Sequence, residues 1–358
     1  MDWHEIYKKG REILFAERKA ESRTGLIGLD IGSETIIGVE VVPSKTRPIL
    51  REFAVVDTPQ VSKEIGDAIG KIFESKKFSS RRVHIGIGGP SVIVRYISLP
   101  YMTTKELKSS IAYEAEKYIP FKTDDVYIDF HVLSETQTAG GKKRINILLV
   151  AAKKDKVQEI AEVIRDAGVE IEAVQASAVA LINAFQWAQP DAAGERICQA
   201  DFGAHYITVN IIDEGTPVFT RDVSFGGEDV ASALAKQLNV GVDEALRIMK
   251  NFDWNNVAWK EAIAKPFSHL ASEVRLSINY FEHQLNESKN IQKTFIHGGV
   301  TKITNFQQVL QRELGYPVQY ADPLSKLDFN GNVDKELASK YAKQMMVALG
   351  LALPPGES

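Results

Sequence analysis

Two short turns of the same design, set in the same pattern of strands, constrain the fold of this chain most strongly. The first reads DIGSET at residues 30–35, and the second reads DFGAHY at residues 201–206. Each turn follows one β-branched run and precedes another, which is typical of a β-hairpin. A further strand is predicted after each hairpin, at 48–56 and 217–223. The chain therefore contains an internal repeat of a three-strand meander.

The repeat predicts two similar α/β halves that face one another, since each meander is followed by helical sequence. We expect the first half at residues 25–196 and the second half at 197–353. Residues 83–175 carry a strand, a helix, two strands and a helix, which predicts a small α/β subdomain inserted in the first half. Residues 226–290 predict a smaller subdomain of the second half.

The two ends of the chain fall outside these halves. Residues 1–24 predict an amphipathic helix or arm, because Trp3, Ile6 and Leu14 recur at helical spacing between charged residues. Residues 354–358 form a short tail. Helical periodicity elsewhere predicts helices at 63–73, 104–118, 153–166, 227–238, 242–250, 267–286 and 338–353.

Composition and charge narrow the function classes. The formal net charge is -4 with a pI near 6.0, so no global positive field attracts nucleic acid. No run reaches the roughly 18 apolar residues that a membrane-spanning helix needs, and the N-terminus lacks the apolar core of a secretory signal. The single cysteine, Cys198, lies in an apolar run and predicts a buried, unreactive thiol. We expect a cytoplasmic protein with, at most, peripheral membrane contact.

The two turns carry the residue types that a nucleotide cleft needs. An Asp-x-Gly turn at a hairpin tip exposes backbone N–H groups, and glycine lets the chain approach a phosphate closely. Asp30 and Asp201, facing each other, would hold a hydrated Mg²⁺, which keeps most of its waters. A strand that ends in Gly-Gly at 298–299 could lie flat against a base. The candidate nucleotide-binding residues are Asp30, Gly32, Ser33, Glu34, Thr35, Asp201, Gly203, Ala204, His205, Gly226, Gly227, Gly298, Gly299 and Val300.

Four tracts of the chain resemble a known family. VRYISLP at 94–100 and EAEKYIPF at 114–121 are similar to a strand and a helix end of the PilM family of type IV pilus assembly proteins. FTRDVSFGGE at 219–228 and VRLSINYFE at 274–282 are similar to the second half of that family. The first two tracts are the most diagnostic, because the wider actin-like superfamily, including the cell-division protein FtsA, lacks them. The resemblance extends over nearly all of 25–353.

The resemblance implies an actin-like α/β fold of two ribonuclease-H-like halves with an inserted small α/β subdomain, as in FtsA and PilM. It implies ATP with Mg²⁺ in the cleft, and a groove for the cytoplasmic tail of a PilN-type inner-membrane protein. Other pilus components and self-assembly into a ring are further implied partners. The expected role is a cytoplasmic scaffold at the inner face of the inner membrane, in fimbrial assembly and twitching motility.

Three features depart from the family pattern. Ile37 stands where many relatives carry a basic residue. Leu246 and Met249 stand where the family tends to have Glu and Lys near the ribose, and His205 and Tyr206 replace small hydroxyl residues. Charged hydrogen bonds of this kind contribute roughly 1.5–3 kcal/mol each. Loss of two or three would weaken ATP binding by about 100-fold or more.

The sequence assigns no general base for hydrolysis, which must lie within reach of the attacking water. His205 is a candidate by position, although a histidine in a turn is more often structural or solvated. We therefore expect a scaffold that holds its partners and is at most a slow ATPase. The alternatives are a slow actin-like ATPase and the cytoplasmic component of a related type II secretion assembly.

A candidate partner site follows the predicted helix at 104–118. A proline breaks the helix there and gathers two aromatic residues and an isoleucine beside the end of the preceding strand. A few buried aromatic side chains often carry most of the affinity for a short peptide. The candidate residues for binding the PilN-type tail are Leu99, Pro100, Tyr118, Ile119, Pro120 and Phe121.

Overall fold

The computed structural model describes residues 25–138, 140–285 and 290–353. The strands in these ranges are β1 (Leu26–Ile31), β2 (Thr35–Val42), β3 (Ile49–Asp57), β4 (Arg82–Ile87), β5 (Val92–Pro100), β6 (Val126–Gln137), β7 (Lys143–Lys153), β8 (Glu170–Ala176), β9 (Arg196–Phe202), β10 (Ile207–Asp213), β11 (Thr216–Val223), β12 (Lys293–His297), β13 (Val318–Tyr320) and β14 (Asp328–Phe329). The α-helices in the same ranges are α1 (Ser62–Ser75), α2 (Thr104–Ala115), α3 (Lys154–Asp166), α4 (Ser177–Ala188), α5 (Gly227–Leu238), α6 (Val242–Lys250), α7 (Val257–Leu285), α8 (Phe306–Leu314), α9 (Lys335–Tyr341) and α10 (Met346–Ala352). The expected N-terminal arm at 1–24 and tail at 354–358 lie outside the described residues.

Two mixed sheets repeat one design. In the first, β1, β2 and β3 form an antiparallel meander, and β4 and β8 extend it in parallel on the other side of β1. In the second, β9, β10 and β11 form the same meander, and β12 and β13 extend it in parallel beside β9. The repeated meander predicted from the two turns is therefore confirmed.

A separate three-stranded sheet, which we call the small sheet, has the order β5-β7-β6 and is antiparallel throughout. Helix α2 packs against it through Leu107, Ile111 and Ala115, which are buried in one hydrophobic cluster with residues of β5 and β7. The small sheet spans 92–153, which is narrower than the expected insertion at 83–175. The reason is that β4 and β8 pair with each other in the six-stranded sheet.

Two largely apolar helices hold the halves together beneath the cleft. A Cβ atom on Gly350 of α10 would lie 1.9 Å from the carbonyl oxygen of Ala180 in α4, and one on Gly28 of β1 would lie 2.0 Å from that of Ala348 in α10. Such distances leave no room for any side chain. Helix α10 therefore lies against both β1 and α4, and the end of the second half packs onto the sheet of the first.

Two helix predictions need correction here, and two helices were missed. The helix expected at 338–353 is two helices, because the carbonyl of Lys343 turns away to accept the Gly298 N–H at 2.7 Å. Helix α7 begins at Val257 rather than at 267 and runs through Pro266; Ile263 and Phe267 beside that proline are buried in the core. Helices α4 and α8 were not predicted. Within the described ranges, every helix is too short or too polar to cross a bilayer.

Candidate nucleotide-binding cleft

The tips of the two repeated hairpins have the same backbone geometry. The Gly32 N–H donates to the Thr35 carbonyl at 3.0 Å, and the Gly203 N–H donates to the Tyr206 carbonyl at 3.1 Å. A Cβ atom on either glycine would lie 2.9 Å from that carbonyl oxygen. Both positions therefore require glycine, and the repeat seen in the sequence extends to the atoms of the turns.

Asp30 and Asp201 occupy the penultimate positions of β1 and β9. Loss of hydration raises the pKa of each carboxyl from 3.8 to about 7. For Asp201, the negative charges of Asp30 and Asp222 raise the pKa further. An enclosed pair of carboxylates with such pKa values favours a bound proton or a cation over two unbalanced charges.

A cavity of about 550 Å³ lies between the two turns. Most of the predicted nucleotide-binding residues line it: Asp30, Gly32, Ser33, Glu34, Thr35, Asp201, Gly203, Ala204, His205, Gly298 and Gly299. The sequence did not single out other residues of the wall, among them Thr58, Gly88, Lys156, Glu228 and Gln344. Thr58 supports the first turn, because its hydroxyl donates to the Gly32 carbonyl at 2.7 Å.

Gly226 and Gly227 lie behind the second turn and not in the cavity wall. The Gly227 N–H donates to the Gly203 carbonyl at 2.9 Å, and a Cβ atom on Gly226 would lie 2.3 Å from the Ala204 carbonyl oxygen. Val300 is buried and also lies outside the wall, where its side chain would be 3.0 Å from a Cβ atom on Gly227. These three residues position the turn from behind.

The strand-Gly-Gly element at 298–299 meets both the second turn and the cavity. Gly298 has φ +91°, and a Cβ atom there would lie 2.4 Å from the Phe202 carbonyl oxygen. A Cβ atom on Gly299 would lie 3.3 Å from Gln344 Nε2 and 3.7 Å from Glu34 Oε2. The side chains of Glu34 and Gln344 therefore border the place where the sequence predicts a base.

The two departures in the second turn make contacts of their own. His205 Nδ1 lies 3.2 Å from Glu228 Oε2, and both side chains are about half exposed. Tyr206 packs on the glycines before β5, since a Cβ atom on Gly89 would lie 3.0 Å from its ring. The Gly-rich stretch at 86–89 was the signal that could have identified this wall of the cleft in the sequence.

Carboxylates dominate the charged residues of the cavity wall. The wall contains five carboxylates and one lysine: Asp30, Glu34, Glu159, Asp201, Glu228 and Lys156. The Lys156 ammonium group is paired with Glu159 at 2.8 Å. In the described part of the chain, no three His, Cys, Asp or Glu side chains are grouped to hold a metal directly. The donor set, two separate enclosed aspartates, instead fits a Mg²⁺ ion held through its own waters.

A further polar residue beneath the wall was missed. Gln175 on β8 lies opposite Gly86 in the strand register, is 6% exposed, and has an Oε1 atom without a partner among the described residues. Buried amide oxygens are rarely left unpaired. Nothing in the local sequence marks Gln175, because only the pairing of β8 with β4 places it next to a residue of the cavity wall.

The six residues predicted to bind a partner divide into three groups by their exposure. Leu99 and Ile119 are 2% and 7% exposed and belong to the hydrophobic cluster of the small sheet. Tyr118 and Phe121 are half-buried at the edge of the same cluster, and the Lys153 ammonium lies 4.9 Å from the Phe121 ring centroid. Pro100 and Pro120 are exposed.

Helix α2, which leads to these residues, begins with a capping box between Thr103 and Glu106. It ends at Ala115 rather than at residue 118, so that Tyr118 lies in the following turn. The sequence did not single out Tyr101 and Tyr113, whose side chains are 44% and 67% exposed near this edge. The position of Tyr113, off the apolar stripe of α2, was the available signal.

The other three departures from the family pattern, at 37, 246 and 249, pack in the hydrophobic cores. Ile37 is 1% exposed and Met249 is 9% exposed, and each belongs to a hydrophobic cluster. Leu246 packs against the core of the second half. Cys198 is fully buried, as predicted, and burial raises the pKa of its thiol to about 12.

Comparison with solved structures gives the fold class. A chain of a PilM–PilN type IV pilus biogenesis complex is 23% identical, with a TM-score of 0.82 over 92% of this chain and 98% of that chain. Ethanolamine utilization protein EutJ from Carboxydothermus hydrogenoformans is 14% identical, with a TM-score of 0.55 over 98% of this chain and 97% of that chain. Together with the paired turns, these likenesses define a protein of the actin-like ATPase fold.

The family model for the type IV pilus assembly protein PilM matches residues 28–355. The chain therefore belongs to the PilM family of type IV pilus assembly proteins, as the tracts at 94–100 and 114–121 predicted.

Proposed function

We propose that this chain is a nucleotide-binding scaffold of the type IV pilus assembly complex, which holds the cytoplasmic tail of a PilN-type protein at the inner face of the inner membrane. Three features support the proposal: the family, the likeness to a PilM–PilN complex, and the cleft between the two turns. The observation that most directly supports nucleotide binding is the pair of aspartates at equivalent strand ends.

In this proposal, Asp30 and Asp201 hold Mg²⁺ through its waters. The metal supplies positive charge for the phosphates of ATP, which a wall rich in carboxylates cannot supply by itself. Backbone N–H groups of the two turns face the phosphates, and the glycines at 32 and 203 let the main chain come close. Gly298 and Gly299 border the base.

We infer binding rather than rapid turnover. Asp30 and Asp201 are assigned to the metal in this proposal. Of the other candidate bases in the wall, Glu159 is paired with Lys156, His205 is paired with Glu228, and Glu34 is exposed. A general base must be positioned on the attacking water, and a solvated surface pair is poorly suited to that. The nucleotide then acts as a ligand that fixes the relative position of the two halves.

The tail site is proposed at the edge of the small sheet, where Tyr118 and Phe121 are half-buried beside exposed Pro120. Leu99 and Ile119 contribute as the packed base beneath these rings. An apolar peptide that covers two aromatic rings gains most of its affinity from them. The apolar base also keeps the rings in place before the peptide arrives, which lowers the entropy cost of binding.

We expect Tyr118→Ala and Phe121→Ala each to cost roughly 1–4 kcal/mol of tail binding. Fluorescence anisotropy with a labelled synthetic peptide, the cytoplasmic tail of a PilN protein, measures this directly. Tyr280→Ala is the matched control, because Tyr280 is a 55% exposed tyrosine on α7 in the second half. Wild-type affinity in both variants, with the fold verified by circular dichroism, would place the tail elsewhere.

A further inference from the structure

Two polar residues on the same face of strand β11 lie toward the small sheet. Successive strand residues point to opposite sides, so Thr220 and Asp222 share a side. Arg221 between them points the other way, with a guanidinium nitrogen 3.7 Å from Glu273 Oε2 on α7. Thr220 forms a hydrogen bond to a residue of β5, and Asp222 forms one to a residue just before β5. From each of them a row of hydrogen bonds extends into the second sheet.

The first row starts at Tyr96 in β5. Its hydroxyl lies 2.9 Å from Thr220 Oγ1, and the Thr220 hydroxyl donates to Asn210 Oδ1 at 2.8 Å. Asn210 Nδ2 donates to Gln199 Oε1 at 3.1 Å, and Gln199 Nε2 donates to the Leu181 carbonyl of α4 at 2.9 Å. The row joins the small sheet, three strands of the second sheet and α4.

The second row starts at Gly89, just before β5. The Gly89 N–H donates to Asp222 Oδ2 at 3.1 Å, and the Thr208 hydroxyl donates to Asp222 Oδ1 at 2.7 Å. Thr208 lies directly opposite Asp201 in the register of β10 and β9. This row therefore ends at Thr208, directly beside Asp201, the aspartate that we assign to the metal.

A packing contact reinforces the second row. Tyr206 of the second turn lies on Gly88 and Gly89, since a Cβ atom on Gly88 would be 2.9 Å from the Tyr206 hydroxyl oxygen. Gly89 has φ +75°, a conformation that glycine adopts without strain. Residues 88–89 thus touch the second nucleotide turn on one side and lead into β5 of the small sheet on the other.

We propose that Asp222 and Tyr96 are positioning residues that couple the cleft to the small sheet, so that a nucleotide in the cleft tightens the binding of the tail. This rests on the proposed function, because it connects the two sites named there. A ligand that orders Asp201 and the second turn also fixes β11 and residues 88–89. The small sheet then loses less freedom when the tail binds, which is positive cooperativity.

The test is the affinity of the labelled PilN tail peptide with and without saturating Mg·ATP. In the wild-type protein we expect the nucleotide to tighten tail binding by about fivefold or more, the lower range of typical couplings. Asp222→Asn removes the negative charge and leaves one acceptor oxygen for the two donors, Gly89 N–H and the Thr208 hydroxyl, and Tyr96→Phe removes one hydroxyl. Tyr96→Phe should bind each ligand alone as the wild type does, and at saturating Mg·ATP both variants should lose most of the nucleotide effect on tail binding.

Asp243→Asn and Tyr280→Phe are matched controls on exposed positions of α6 and α7, and they should keep the full effect. If the wild-type protein binds both ligands but Mg·ATP leaves its tail affinity unchanged, the coupling is wrong and the proposed function is unaffected. A full effect of Mg·ATP on tail affinity in both variants also overturns the coupling. If either ligand fails to bind to the wild-type protein by itself, the proposed function is wrong, and the coupling with it. If Asp222→Asn does not fold, the single hydroxyl removed in Tyr96→Phe decides the question.

Discussion

At the scale of single residues, the enclosed carboxylates Asp30 and Asp201 determine how the cleft responds to pH. Burial raises the pKa of each from 3.8 to about 7. Between these values the folded state binds protons that the unfolded state has released. The contribution of each aspartate to stability is therefore complete below pH 4 and is lost as the pH rises through about 7.

This sign gives a prediction for the metal-free protein. We expect Asp30→Asn and Asp201→Asn each to reduce the loss of unfolding free energy between pH 5 and pH 8, measured by urea denaturation in EDTA. His297 acts in the opposite sense below pH 6.5, because burial lowers its pKa to about 3. The quantity to compare is therefore the difference between wild type and variant at each pH. An identical pH dependence in all three proteins would contradict the account.

Gly298 tests the packing behind the second turn. Its φ of +91° and the 2.4 Å approach of a Cβ atom to the Phe202 carbonyl oxygen leave no relaxed place for alanine. Gly298→Ala should lower the free energy of unfolding by about 1–3 kcal/mol or more. Gly194→Ala is the control, because nothing lies within 4 Å of the Cβ atom it would add. Equal stability of the two variants in urea denaturation would refute the argument.

At the scale of elements, the sequence predicted those with local signals. The bounds of α5 and α6 are as predicted, because each helix is amphipathic and a clear residue ends it, such as Asn239 in the left-handed conformation after α5. Helix α4 was missed because its side chains are apolar on all sides and show no helical period. Its partner is α10, so the information that forms it lies in the tertiary contact.

Two carboxylates on adjacent strands illustrate an element held by a distant segment. Glu40 and Glu52 lie opposite each other on β2 and β3 and are 0% and 4% exposed. Glu52 Oε2 accepts the Lys77 N–H at 3.1 Å, and Glu40 Oε2 accepts the Ser79 N–H at 3.0 Å. The loop after α1 donates hydrogen bonds to both carboxylates, and they in turn hold that loop on the sheet. Arg51 Nε lies 3.6 Å from Glu40 Oε1 and balances its charge.

Glu40→Gln should therefore cost about 1.5–3 kcal/mol of unfolding free energy, because the neutral amide replaces a charged acceptor and brings an unmatched donor. Glu135→Gln on the exposed part of β6 is the control and should change little. Urea denaturation of the three proteins at one pH measures the difference. A Glu40→Gln protein as stable as the control would show that the loop is held by other contacts.

At the scale of the whole molecule, the repeated turns were enough to predict two similar halves and the part of the cavity wall that the turns themselves form. They could not supply Gly88, Glu228 and Gln344, which reach the cleft through β4, α5 and the break between α9 and α10. None of these has a local motif that refers to the turns. The tail site stays a prediction: Tyr118, Ile119 and Phe121 lie in or at the edge of one hydrophobic cluster, but Leu99 and Ile119 are buried inside the small sheet rather than on its surface.

The central claim is that the two hairpin tips hold one nucleotide between them, and calorimetric titration with Mg·ATP tests it most directly. The account predicts one site in the wild-type protein, its loss in both Asp30→Ala and Asp201→Ala, and its retention in Asp166→Ala, where the exposed carboxylate of α3 lies outside the cavity wall. Each of the first two variants removes one side of a shared metal site, so either change alone is sufficient. Wild-type affinity for Mg·ATP in both of them, with the fold intact, would contradict the claim.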